Sequence, residues 1–135
     1  MSDKMSLRDT VEPKSDQLNY DDLVAGPITV KVTGLKAGSA EQPVIVEVAD
    51  EAGRKLRDFK PCKTMRRVLI AAWGDKGKDW LGKRATLVGD PSVKFGGVEV
   101  GGIRISHVSG IDKLLKLKLT TTRSKRADVV IHPLA

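Results

Sequence analysis

Hydrophobic and polar residues alternate in several short stretches of the chain. Ile28, Val30 and Val32 interleave with Thr29, Lys31 and Thr33, the period-two signature of a half-buried strand, and Gly26 and Pro27 mark where it opens. Residues 36–43 read as a loop, and Val44, Val46 and Val48 share one face of a second strand. Asp50, Glu51, Ala52 and Gly53 predict a turn into a third strand over residues 55–59, antiparallel to the second, with Leu56 facing inward and Arg57 outward.

After Pro61 the period changes. Met65, Val68, Leu69, Ala72 and Trp73 recur at i, i+3, i+4, i+7 and i+8, one buried face of a helix. Thr64 is suited to cap its start and Gly74 to end it. A fourth strand follows over residues 83–88, then a turn at Asp90 and Pro91. Short extended pieces at 93–95, 98–100 and 103–108, separated by the pairs Gly96-Gly97 and Gly101-Gly102, predict a curved hairpin. Leu115, Leu117 and Leu119 alternate with Lys116, Lys118 and Thr120 in a further strand, and residues 129–134 form a short apolar terminus. The expected organisation is a flexible acidic arm over residues 1–22 that ends in a turn near 19–22, a domain over 23–122, and a basic extension over 123–135. Three strands, one helix and two or more strands bent at glycine predict a mainly β fold. Its expected form is an OB-like five-stranded barrel with one α-helix between strands 3 and 4, plus a C-terminal extra strand.

Length and composition narrow the function. The chain has 135 residues, room for one domain, and its longest apolar run, residues 68–73, is too short to span a bilayer. The start of the sequence carries no apolar core of a secretory signal, and a single cysteine, Cys62, fits a reducing compartment such as a bacterial cytoplasm. Net charge is +7, but unevenly spread. Residues 1–52 hold five basic and ten acidic residues; residues 53–135 hold nineteen basic and seven acidic. So lopsided a cationic segment suits a polyanionic partner, because phosphates are neutralised with release of counterions. A solvated basic surface kept for solubility explains the same numbers.

Enzyme chemistry finds little support. With His107, His132 and Cys62 the only histidines and cysteine, no zinc site of Cys and His ligands is expected, and no cofactor. The stretch from Gly77 to Lys83 matches GxxxxGK, but Arg84 stands where a phosphate loop needs Ser or Thr, and the segment leads from a helix into a strand. Carboxylates in the second half show no paired spacing for acid–base work. Nucleic-acid binding is the main candidate. Arg54, Lys55, Arg57, Lys60 and Lys63 surround the third strand, Arg66 and Arg67 lie off the helix's apolar stripe, and Lys36, Lys94 and Arg104 flank the same face. Single strands cross the face of strands 2 and 3 of an OB barrel, so these cations are expected to hold phosphates. Phe59 and Phe95 are the rings expected to stack on bases, while Trp73 and Trp80 are expected in the core. Lysines 113, 116 and 118 with Arg123, Lys125 and Arg126 form a second cationic patch, which extends the track, wraps a duplex or guards an edge strand. The alternating leucines opposite need cover from the barrel or from another subunit, which makes a homo-oligomer an expectation.

Four motifs carry a resemblance over roughly residues 24–112. They are a helix ending in Trp73-Gly74, a W-x-G-K-x-x-T-L strand from Trp80, a D-P-x-V-x-F-G turn from Asp90, and a G-G-I-R-I-S strand from Gly101. Together they resemble a family of small bacteriophage and prophage proteins of replication and recombination modules. The resemblance implies an OB-like fold similar to single-stranded DNA-binding proteins, with host or phage replication and recombination proteins as further partners. Unlike bacterial single-strand binders, the chain has no acidic residue after Asp128, so any acidic recruiting arm is the N-terminal one. The alternative function is a protein–protein module or an inhibitor of a host or phage enzyme. A structural virion component is a third.

Overall fold

A computed structural model of the chain describes residues 17–95, 97–122 and 125–134; the side chains of residues 94, 95, 119–122 and 125–127 lie outside that description. The strands are β1 (Ile28–Ala37), β2 (Val44–Ala49), β3 (Arg84–Asp90), β4 (Lys94–Phe95), β5 (Val98–Glu99), β6 (Gly102–Val108), β7 (Leu115–Thr122) and β8 (Lys125–Pro133), with one helix, α1 (Lys63–Trp73). A six-stranded sheet runs in the order β2-β1-β3-β6-β8-β7, and β4 and β5 form a separate two-stranded ribbon between β3 and β6.

The period-two pattern explains which residues face inward. Val30 and Val32 of β1, Val46 and Val48 of β2, and Ala85 and Leu87 of β3 are all buried, while Lys31 and Thr33 between them are exposed. Helix α1 lays Met65, Val68, Leu69 and Trp73 into the same core. Each such side chain, fully buried, contributes roughly 1.5–3 kcal/mol. Both tryptophans are core residues. Trp73 and Trp80 meet edge to face at 5.8 Å, and their indole N–H groups donate to Ser109 O at 2.7 Å and Gly74 O at 2.8 Å.

Several expectations need correction. Helix α1 starts at Lys63, not after Thr64, because Arg66 N donates to Cys62 O at 2.8 Å and so closes the first turn earlier; Cys62 takes the cap position without a side-chain bond. Residues 55–59 do run antiparallel to β2, but only as the isolated bridges Ala49↔Lys55 and Val46↔Phe59. A flexible arm does not reach residue 22. Leu18 and Leu23 are buried, and Asn19 and Asp22 form a reciprocal capping box around the 3-10 turn Tyr20–Leu23. Nor do residues 125–134 form a separate extension. β8 pairs antiparallel with β7 over residues 125–131 and parallel with β6 at His107↔His132 and Val108↔Pro133, with Ile131 buried in the core. In that hairpin Leu115 and Leu117 are half-buried against the core, and the side chain of Leu119 lies outside the described residues.

Barrel closure is not detected. Among the described residues no ladder joins residues 55–59 to β6. Along that seam Leu18 N instead donates to Asp58 O at 2.8 Å, and Gln17 bridges Asp58 in parallel. Tyr20 lies against the base of the ribbon, where Gly101 has φ +79° and a Cβ would stand 2.5 Å from the ring. Only glycine satisfies both the backbone and the close approach there.

Candidate nucleic-acid interface

The outward face of β1, β2 and residues 54–58 carries the expected cations, but each meets a carboxylate. Lys36 Nζ lies 3.5 Å from Asp58 and 3.9 Å from Glu47, and Lys55 Nζ lies 3.7 Å from Glu47. Arg54 reaches Asp50 at 3.9 Å, and Arg57 reaches Asp22 of the 3-10 turn at 3.8 Å. These pairs arise from the folding of strands side by side. Glu47 points out between two neighbouring strands that each present a lysine, and the acidic 3-10 turn comes up against Arg57. The surface potential of this face is therefore close to balanced, even though the pairs themselves, half open to water, are each worth about 1 kcal/mol or less.

Phe59 is withdrawn from the candidate surface. It is 4% exposed and belongs to the core, so its ring is not offered to a base. Arg57 is exposed, Asp58 half-buried and Phe59 buried, so the chain departs from regular strand alternation here. Phe95 and Lys94 are described only as backbone, paired with Val98 and Glu99 in the ribbon. Lys60 is half-buried, next to a cavity of about 220 Å³ at the open seam that is also lined by Leu18, Tyr20, Phe59, Cys62 and Arg104. Arg66 turns its guanidinium back to Pro61 O at 3.1 Å. Arg104 is held between Asp90 at 3.7 Å, Ile103 O at 3.3 Å and Cys62 Sγ at 3.8 Å. Asp90 itself accepts from the Ser92 hydroxyl at 2.6 Å and amide at 2.9 Å. Those two bonds are the main cause that holds its carboxyl below the usual range; burial opposes them, and the Arg104 charge adds a lesser lowering effect.

The remaining cations form a different group. Lys63 and Arg67 are exposed on α1, and Lys116 and Lys118 are exposed on β7, the strand on which α1 rests; none has a carboxylate partner among the described residues. The alternation of leucine with lysine in β7 already signals this second group in the sequence. Its position beside α1 is visible only once the hairpin is folded back. Arg123 lies outside the described residues, as do the side chains of Lys125 and Arg126.

Among the described residues no three His, Cys, Asp or Glu side chains converge as a metal site, and no helix is long and apolar enough to cross a membrane. The chain matches no family model, no curated protein and no solved structure.

Proposed function

We propose that the chain is a non-catalytic single-stranded DNA-binding module with an OB-like architecture. The observation that carries this reading is the charge of α1 and β7, where Lys63, Arg67, Lys116 and Lys118 stand exposed with no ion pair to a carboxylate among the described residues, in a chain of net charge +7. Phosphates gain most where no carboxylate must first be displaced. The preference for single strands rests on strand order. Residues 55–59 lie beside β2, then follow β1, β3 and β6, with α1 inserted between the third and fourth of these segments in sequence, the order of an OB barrel. With Phe59 buried, binding rests on phosphate contacts more than on stacking. The proposed role is to hold single strands during phage or prophage replication or recombination, beside host or phage proteins of those processes.

The test is fluorescence anisotropy of a labelled thymine oligomer at low and moderate salt, with duplex as competitor. Affinity should fall with salt at a log–log slope of about −0.7 per phosphate contacted. Lys63→Ala with Arg67→Ala should weaken binding more than Lys36→Ala with Lys55→Ala. Equal competition by duplex, or no binding at low salt, would overturn the proposal.

One observation favours the protein–protein alternative. Val98 and Val100, on and beside the ribbon, are 62% and 53% exposed, an apolar projection that phosphate binding does not use.

A further inference from the structure

The only two histidines of the chain, twenty-five positions apart, are direct partners across the parallel junction of β6 and β8. Their ring centroids are 5.2 Å apart and their planes inclined by 32°. The backbone under them is fixed. Val108 and Ile131, one residue away on either strand, are fully buried, and Leu134 N donates to Val108 O at 2.8 Å. A divalent ion bonded at about 2.0–2.1 Å to each of two nitrogens requires them to lie within about 4.2 Å of each other, and rings 5.2 Å apart stand close enough to be candidates for such a bridge.

A second observation concerns which nitrogen is free. His107 Nδ1 lies 2.8 Å from Ser106 Oγ, and that hydroxyl reaches Thr86 O at 3.5 Å. If that hydroxyl donates to the Thr86 carbonyl, its oxygen is left to accept from Nδ1–H. The lone pair then stands on Nε2, the arrangement of a metal-ligating histidine whose other N–H is held by a neighbouring acceptor.

The geometry points to a two-imidazole site for a divalent late first-row transition ion, with His107 and His132 as ligands, Ser106 as a positioning residue and water in the remaining positions. Imidazole nitrogen suits Cu(II), Ni(II) and Zn(II), and affinity should peak at Cu(II). Because β6 and β8 pair only at His107↔His132 and Val108↔Pro133, a bound ion also fastens the C-terminal hairpin to the sheet. Ion binding then adds to folding stability.

The experiment titrates untagged full-length protein with Ni(II), Cu(II) and Zn(II) by calorimetry. One equivalent per chain is expected, with a rise in the thermal midpoint. Binding should weaken at least tenfold in His107→Ala and in His132→Ala, and about tenfold in Ser106→Ala, in line with the loss of an outer partner. Should a histidine variant fail to fold, substoichiometric Cu(II) on the unaltered protein must broaden both imidazole proton signals together. Absence of binding, wild-type affinity in either histidine variant, broadening of one ring alone, or one ion per two chains would each overturn the site.

Discussion

Glu47 on β2 places its Oε2 3.7 Å from Lys55 Nζ, and the same oxygen lies 3.9 Å from Lys36 Nζ. One carboxylate thus sits between two of the cations that would otherwise define a phosphate-binding groove. Removing its charge should unmask them. Glu47→Gln is expected to raise affinity for a thymine oligomer about two- to fivefold at low ionic strength, since half-exposed ion pairs are each worth about 1 kcal/mol or less. The gain should fade at high salt. Anisotropy titrations at two salt concentrations check this, and an unchanged affinity would exclude this face from the binding track.

Phe59 acts in the core. Phe59→Ala should lower unfolding free energy by about 3–5 kcal/mol, read by denaturant titration. Phe59→Leu should keep most of that stability and bind the oligomer as the unaltered chain does. A folded Phe59→Leu protein with strongly weakened DNA binding would contradict the burial of this ring as its role.

Gly101 is expected to tolerate no side chain. Gly101→Ala combines a left-handed φ with a Cβ 2.5 Å from Tyr20. A loss of roughly 1–3 kcal/mol is expected. In the double variant with Tyr20→Ala the clash disappears while the backbone cost remains, so the double variant should lose less than the sum of the two single losses. Thermal melts of the four-member cycle measure this.

Asp90 gives a pH dependence of definite sign. Its folded pKa lies below the ordinary 3.8, so its contribution is present above that value and is lost as pH falls through the folded pKa. Asp90→Asn should therefore cost about 1 kcal/mol at neutral pH. The difference between the two proteins should narrow as the pH drops below 3.8. Chemical denaturation across pH 2–7 would reveal a constant difference if the charge were irrelevant.

Much of the architecture was legible from local pattern. The alternation in residues 28–33 and 44–48 located β1 and β2, and the spacing from Met65 to Trp73 located α1, because each pattern records which face of an element meets the core. The glycine pairs marked the ribbon for the same local reason. The turn at residues 50–53 predicts a full strand over 55–59; its pairing with β2 reduces to two bridges, a matter of register that no local pattern carries.

The candidate site was less legible. The cations were visible, but whether each faces a carboxylate depends on contacts such as Lys36 with Asp58 and Arg57 with Asp22, which lie far apart in the chain. Composition counts charge without locating it.

The amino-acid sequence by itself determined the mainly β character, the single buried helix face, the core tryptophans and the excess of positive charge after residue 52. These follow from local periodicity and from sums over residues. Only the tertiary structure decided that β8 returns alongside β6 and brings His132 to His107, that Leu18 and Leu23 belong to the core, and that Phe59 points inward. It also decided that Lys63 and Arg67 of α1 and Lys116 and Lys118 of β7 meet no carboxylate among the described residues. Each of those outcomes is a choice of partner at long range. Such choices are made by the joint burial of many side chains and are not encoded in any one stretch of the chain.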